Sequence, residues 1–165
     1  MDLGLTGKRA LITGATKGIG RAIAETLLAE GASVSICART AEDVDKAVAE
    51  LSGAGKAVGS VVDAADGDSL RAWVQSSADQ LGGIDIYIHN TSGKPARKLE
   101  AWKNNFDIDL MALLHGVEAA TPVLAAQGGS VISIGTTAVS EHFASGSGSY
   151  SAFKEIGRAS CRERV

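Results

Sequence analysis

Short apolar runs that alternate with amphipathic segments constrain the fold of this chain more than any other feature of its sequence. Five runs rich in valine and isoleucine lack a regular polar alternation, as is typical of strands buried on both faces of a parallel sheet. They occupy residues 9–13, 33–38, 57–63, 84–90 and 130–136. Between them, apolar residues recur at helical spacing. This alternation predicts an α/β fold of βαβ units around a doubly wound parallel sheet.

The composition suits one soluble domain with a sizeable core. The chain has 165 residues, of which 45% are hydrophobic and 21% are charged. A net charge of −3 without a long basic run argues against nucleic acid as a partner. We find no signal-peptide core and no stretch that we expect to span a membrane. Cys37 and Cys161 provide no disulfide framework, so we expect a cytoplasmic protein.

We expect the histidines and tryptophans to be structural or surface residues rather than site residues. His89, His115 and His142 are too scattered along the chain to suggest a metal site, so none is predicted. Trp73 and Trp102 fall on apolar faces of predicted helices, and we expect both in the core.

A glycine cluster follows the first predicted strand and opens the first predicted helix. In ALITGATKGIGRAIAETL, Gly14, Gly18 and Gly20 stand where the chain must turn tightly and let a pyrophosphate approach the backbone. The helix start that follows offers free N–H groups and a positive dipole end. A bare turn would explain the glycines alone, but the strand before them and the helix and strand after them favour a dinucleotide site.

The spacing Thr-Gly-x-x-x-Gly-x-Gly resembles the glycine motif of the short-chain dehydrogenase/reductase family. The resemblance extends from about Lys8 to Lys154. It implies a Rossmann-type domain over residues 1–154 whose sheet is incomplete at its C-terminal end. It also implies a homo-oligomeric oxidoreductase that transfers hydride between a nicotinamide dinucleotide and a carbonyl or alcohol substrate, as in 3-oxoacyl reductases. The phosphate-loop positions carried over are Gly14, Thr16, Lys17, Gly18, Ile19 and Gly20.

The end of the second predicted strand bears on which dinucleotide is bound. Relatives that use NAD carry an aspartate where this chain has Ala38, and Arg39 follows it. Arg39 and Lys17 match the family's pattern of NADP preference, and two cations can neutralise a 2′-phosphate. We therefore expect NADP, with NAD as the less favoured cofactor. The alternative is that both are ordinary solvated charges.

The ends of the third and fourth predicted strands add further cofactor positions. By resemblance, Asp63 meets the adenine amino group, with the Ala64 backbone nearby. The segment after the fourth strand is expected to line the cleft through Asn90, Thr91, Ser92 and Gly93. Helix capping by Asp63 and a turn at Asn90 and Gly93 are the structural alternatives.

Tyr150 and Lys154 are four residues apart, so a helix would place them one turn apart on one face. A lysine ammonium close by stabilises a phenolate, which helps a tyrosine exchange a proton with a carbonyl oxygen. The spacing alone is common by chance on solvated helix faces. Its position after a fifth strand and the loop EHFASGSGS resembles the family's catalytic pair, which also contacts the cofactor.

Two catalytic positions depart from the family pattern. Thr136 falls where relatives carry the catalytic serine, and its hydroxyl can polarise a substrate carbonyl, although Thr137 is an open alternative. Asp109 replaces the asparagine of the family's long helix, which orders a water beside the lysine. We expect the aspartate to keep that role through its backbone, to favour the charged ammonium of Lys154 and to change the pH profile.

The last segment, EIGRASCRERV, resembles no part of the family, which continues beyond the lysine. It can be back-translated into a widely used sequencing adapter read in frame. We therefore expect residues 155–165 to be a non-native tail on a truncated gene, and this chain alone to be inactive. A genuine basic tail is the alternative. The departures at Thr136 and Asp109 also leave open a dinucleotide-binding protein without catalytic activity.

Overall fold

The computed structural model describes residues 3–93, 98–140 and 148–160, and its strands form one parallel sheet. Those strands are β1 (Arg9–Thr13), β2 (Ser33–Ala38), β3 (Ala57–Val61), β4 (Ile86–His89) and β5 (Ser130–Ser133). They lie in the order β3-β2-β1-β4-β5. The chain runs outward from β1 to β3 and then returns to the other side of β1. The doubly wound α/β fold predicted from the sequence is confirmed.

Helices cover both faces of the sheet. They are α1 (Gly18–Ala29), α2 (Ala41–Leu51), α3 (Gly67–Leu81), α4 (Leu99–Asn105), α5 (Ala112–Gln127) and α6 (Gly148–Ser160). A π-helical segment, Phe106–Met111, joins α4 to α5, and a 3₁₀ turn, Thr137–Val139, follows β5. Residues 155–160 continue α6, and the origin of segment 155–165 stays a prediction. His142 and Cys161 lie outside the described residues.

Three strands are shorter than the sequence predicts. The third, fourth and fifth end at Val61, His89 and Ser133, before the predicted residues 63, 90 and 136. The residues beyond these ends turn away from the sheet and form loops at its carboxyl edge. Open parallel sheets bind ligands at this edge, so the shortening places polar residues in position for a site.

The core lies on both sides of the sheet. One cluster packs α1 and α2 against residues such as Ile12 and Ile36, and the other packs α3 and α5 against Leu11 and Tyr87. Alternate residues of β1 thus enter opposite layers, as the period of a strand requires. Strands buried on both faces explain the near-continuous apolar runs of the sequence.

The two tryptophans differ in how far they are buried. Trp73 is 2% exposed and belongs to the core, as predicted. Trp102 is 43% exposed, so its predicted burial is wrong. The reason is that α4 packs on α6 rather than on the sheet, and the Trp102 ring meets the edge of Phe153 at a centroid distance of 5.9 Å.

The continuous helical stretch Leu99–Gln127 is long and apolar enough to cross a membrane by length and composition. The expectation that no stretch reaches this length is therefore wrong. Core helices of globular proteins pass the same test, and this stretch packs against α3 and carries the buried polar residues Asn105 and Asp109. Packing within the fold buries 39% of the apolar window, including Leu113 and Leu124, whereas Leu114 stays exposed.

Candidate active site

The loop between β1 and α1 approaches the rest of the structure closely. Gly14 and Gly18 have φ angles of 66° and 61°, a region that residues with a Cβ rarely adopt. A Cβ on Gly20 would lie 2.5 Å from Nδ2 of Asn90 and 2.7 Å from the Gly14 carbonyl oxygen. Glycine at these positions therefore lets the start of α1 pack directly on the carboxyl ends of β1 and β4.

Hydrogen bonds from the segment after β4 hold this loop in place. Nδ2 of Asn90 donates to the carbonyl oxygens of Thr13 and Gly14, both at 3.0 Å. The Thr13 hydroxyl accepts from the backbone N–H groups of Asn90 (2.9 Å) and Thr91 (3.1 Å). Asn90 thus has a structural role at the edge of the cleft. Thr13, which is fully buried, was missed as a site residue although it lies inside the glycine motif.

A single cleft brings most of the predicted cofactor residues together at the carboxyl edge of the sheet. Its lining includes nine of them: Gly14, Thr16, Lys17, Arg39, Asp63, Ala64, Asn90, Thr91 and Ser92. The other predicted positions of these loops lie next to it, with Gly18, Ile19 and Gly20 in the first turn of α1 and Gly93 after Ser92. Residues distant in sequence therefore surround one volume.

The end of the cleft between β2 and α2 carries the charges considered for cofactor choice. Lys17 and Arg39 are exposed, and neither forms an ion pair within residues 3–93, 98–140 and 148–160. Ala38 ends β2, as the sequence indicates. Asp43, in the first turn of α2, lines the same cleft and was missed by sequence reasoning.

Two other cleft residues have local structural roles. Asp63 accepts a hydrogen bond from the backbone N–H of Ala65 at 3.1 Å, which stabilises the turn before α3. Burial raises the pKa of the Cys37 thiol to about 12, although the N–H of Gly14 partly offsets the effect. The thiol is therefore neutral at physiological pH, and Cys37 lines the cleft as an unreactive side chain.

The ammonium of Lys154 is buried beside this cleft. Its side chain is 4% exposed, and Nζ lies 3.2 Å from Oδ1 of Asp109, whose side chain is fully buried. Nζ also donates to the carbonyl oxygen of Ile134 at 3.1 Å. Oδ1 of Asp109 accepts from the hydroxyl of Ser92 at 2.7 Å, so the pair is linked to the cleft lining. The carboxylate itself, and not only the backbone, contacts the lysine.

Asn105 and Ser149 extend this arrangement and were not identified from the sequence. Nδ2 of Asn105 donates to Oδ2 of Asp109 at 2.8 Å, and the Ser149 hydroxyl donates to Oδ1 of Asn105 at 2.8 Å. Both residues are buried. The spacing of Asn105 and Asp109, four apart in a largely apolar helix, was a usable signal, whereas nothing local distinguishes Ser149.

Tyr150 and Thr136 lie at the starts of two neighbouring elements, α6 and the 3₁₀ turn, respectively. Tyr150 lies in the first turn of α6 and is partly buried, one helical turn before Lys154. The Thr136 hydroxyl accepts from the N–H of Ala138 at 3.2 Å and caps the 3₁₀ turn, and Thr137 begins that turn. Within the described part of the chain, the side chains of Tyr150 and Thr136 form no hydrogen bond with Lys154.

Comparison with known proteins identifies the family. The family model described as short chain dehydrogenase matches residues 8–160. The chain belongs to this family. Isoepoxydon dehydrogenase patN of Penicillium expansum is 43% identical over 130 residues, which cover 75% of this chain and 50% of the relative. The uncharacterized oxidoreductase YvrD of Bacillus subtilis is 33% identical over 84% of this chain and 54% of its own length.

Solved structures of a reductase and a dehydrogenase share the fold. L-Sorbose reductase from Gluconobacter frateurii, complexed with NADPH and L-sorbose, matches with a TM-score of 0.90 and 28% identity over 96% of this chain and 63% of its own. Carveol dehydrogenase from Mycobacterium avium, in complex with NAD, matches with a TM-score of 0.83 and 29% identity. The match covers 91% of this chain and 61% of the dehydrogenase chain. The chain spans about half the length of the curated relatives it matches.

The cleft fits the dinucleotide that these neighbours bind. A Cβ on Gly18 would meet no atom within 4 Å, so the space in front of the loop is open. The N-cap of α1, Lys17, has no side-chain acceptor, so no cap bond uses the first-turn N–H groups. Open space in front of helical N–H groups suits a pyrophosphate.

Proposed function

We propose that the protein is an NADP-dependent short-chain oxidoreductase that transfers hydride between NADP(H) and a carbonyl or alcohol substrate. The observation that carries the proposal is the buried ammonium of Lys154, which is held beside the dinucleotide cleft one helical turn from Tyr150. Family membership supports the reaction class. The relatives' printed activities, including isoepoxydon dehydrogenase and putative ketoacyl reductases, support an oxygenated small-molecule substrate.

Binding would follow the geometry of the carboxyl edge. The pyrophosphate would lie at the first turn of α1, against Gly14 and Gly18, where N–H groups and the helix dipole favour an anion. Arg39 and Lys17, both exposed in the cleft, would hold the 2′-phosphate of NADP. Asp63 and Ser92 line other parts of the same cleft and would face the adenosine and nicotinamide portions, respectively.

The bound dinucleotide supplies or accepts the hydride. Tyr150 would donate a proton to the substrate oxygen in reduction, or accept one in oxidation. A buried cation close by favours the phenolate that remains, and Lys154 is the buried cation of this region. Thr136, at the start of the 3₁₀ turn, would hold and polarise the substrate oxygen through its hydroxyl. Thr137 is the neighbouring alternative for this task.

The full-length gene product should oxidise NADPH in the presence of a panel of ketones that includes a 3-oxoacyl thioester. Tyr150→Phe should lower kcat by about 10²- to 10⁴-fold, because a general acid–base is lost, and should weaken NADPH binding at most about tenfold, because a single hydroxyl contact is lost. Tyr87→Phe is the matched control, since the Tyr87 hydroxyl has no hydrogen-bond partner among the described residues. Binding of NADPH without turnover in the unmodified protein would instead identify a non-catalytic dinucleotide-binding protein.

A further inference from the structure

The carboxylate of Asp109 is surrounded by hydrogen-bond donors. Oδ1 accepts from the Ser92 hydroxyl and lies 3.2 Å from Nζ of Lys154. Oδ2 accepts from the backbone N–H of Gly93 at 3.2 Å and from Nδ2 of Asn105 at 2.8 Å. We call Ser92, Asn105, Asp109, Ser149 and Lys154 the Asp109 network.

These donors require an anion rather than an amide at position 109. A carboxylate offers about four acceptor sites; here it accepts three hydrogen bonds and forms an ion pair with Lys154. An asparagine side chain would direct its NH₂ group either at Lys154 and Ser92 or at the N–H of Gly93 and Nδ2 of Asn105. Of these neighbours, the ammonium and the backbone N–H cannot accept a hydrogen bond. The surroundings of position 109 are therefore matched to the aspartate that this chain carries.

The orientation of Asn105 follows from the same constraint. Because Asp109 only accepts hydrogen bonds, the amide nitrogen of Asn105 must face it, which leaves the amide oxygen facing Ser149. The Ser149 hydroxyl donates to that oxygen at 2.8 Å and so prevents the amide from turning over. Ser149 thus determines which group Asn105 presents to Asp109, without touching Asp109 itself.

The network holds α6 at two points on either side of Tyr150. Ser149, directly before Tyr150, is tied to Asn105 at the end of α4. Lys154, one turn later, is tied to Asp109 in the π-helical segment. Asn105, Asp109, Ser149 and Lys154 are buried, so water does not weaken the bonds among them, whereas Ser92 is exposed. The position of Tyr150 and the orientation of the ammonium therefore depend on the same set of hydrogen bonds.

We propose that Asn105 and Ser149 are positioning residues, which hold the Asp109 carboxylate so that it keeps the Lys154 ammonium in one orientation beside the cleft. Their importance for catalysis rests on the proposed function, whereas their effect on Lys154 does not. The hydroxyl of Ser149 acts on the lysine through two intermediate side chains. Its removal is therefore expected to change the lysine signal without unfolding the chain.

The test follows the Nζ–H signal of Lys154 by ¹H–¹⁵N NMR of the full 165-residue chain without cofactor, assigned by its absence in Lys154→Met. Burial and two acceptors slow the exchange of these protons with water. Ser149→Ala and Asn105→Ala should each speed exchange about fivefold to tenfold, the effect of losing one hydrogen bond. Ser149→Thr, which keeps the hydroxyl, should restore slow exchange. Ser151→Ala is the matched control, because the Ser151 side chain forms no hydrogen bond in the described residues.

Unchanged Lys154 exchange in Ser149→Ala and Asn105→Ala would overturn the proposal. So would loss of the backbone amide pattern in Ser149→Ala, since the bond would then serve folding rather than positioning. In the full-length enzyme, Ser149→Ala should lower kcat about tenfold with NADPH affinity unchanged. Failure of the enzyme to turn over any ketone would count against the proposed function alone, because the NMR measurement contains neither cofactor nor substrate.

Discussion

His89 shows how one buried side chain can link the fold to pH. It ends β4 and is fully buried, and neither ring nitrogen has a hydrogen-bond partner among the described residues. Burial, together with the nearby charge of Lys154, lowers the pKa of His89 to about 3, and the backbone of Ile108 opposes this shift in part. The folded chain therefore keeps this imidazole neutral.

Replacing His89 with leucine should make folding less sensitive to acid. The unfolded chain binds a proton near pH ~6.5 and the folded chain does so only near the lowered pKa, so stability falls as the pH drops between these values. Between pH 7 and pH 5 the unmodified chain should lose about 2 kcal/mol more than His89→Leu. Urea unfolding at both pH values measures the difference. Equal losses in the two proteins would show that His89 is not the titrating group.

At the level of secondary-structure elements, Asp85 joins the amino ends of β1 and β4 through ion pairs with Arg9 and, at 3.8 Å, with Lys8. Oδ2 of Asp85, just before β4, accepts from the backbone N–H of Arg9 at 2.9 Å and from its Nε at 2.7 Å. The Arg9 guanidinium also contacts the Gly82 carbonyl and the Gln127 side chain. Arg9 thus joins the start of β1 to the ends of α3 and α5. Its hydrogen bonds lower the pKa of Asp85 despite the burial that opposes them.

Asp85→Asn should destabilise the fold by about 1–3 kcal/mol at neutral pH, because Arg9 loses its charged acceptor. The stabilisation is present above the ordinary aspartate pKa of ~3.9 and is lost as the pH falls through the lowered value, so variant and unmodified protein should converge in acid. Urea unfolding across this range tests the effect. Asp45→Asn, at an exposed position on α2, is the control and should change little at any pH.

For the whole molecule, charge distribution matters more than total charge. The chain has a net charge of −3, yet the exposed side chains of Lys17, just before α1, and Arg39, just after β2, line the same cleft. Asp43 lines the same region and opposes them in part. A local excess of positive charge at the end of a cleft is what a 2′-phosphate requires.

Arg39→Ser should weaken NADP⁺ binding about 10- to 100-fold, because a charge-assisted hydrogen bond is lost, while NAD⁺ binding changes little. Isothermal titration with each dinucleotide measures both affinities. Lys46→Ser removes one exposed positive charge from α2 outside the cleft and should alter neither. Equal weakening of both dinucleotides, or of neither, would argue against a 2′-phosphate contact at Arg39.

Much of the site was predictable because its signals are local. The glycine spacing around Gly14 and the strand ends near Asn90 led to a cleft that the structure assembles from those residues. Ser149 and Asp43 were not found, since no local pattern distinguishes them, and the helical spacing of Asn105 and Asp109 was a signal left unused. The catalytic roles, the NADP preference, the oligomeric state, the location and the origin of the last residues stay predictions.

The sequence by itself determined the alternation of strands and helices, the phosphate loop and the one-turn spacing of Tyr150 and Lys154. These features depend on periodicity and on neighbours a few residues away. Only the tertiary structure decided that Asn105 and Ser149 join the pair of Asp109 and Lys154, that Arg9 joins Asp85, and that Trp102 lies at the surface. Such contacts follow from how helices pack on the sheet and on each other, which no local pattern specifies.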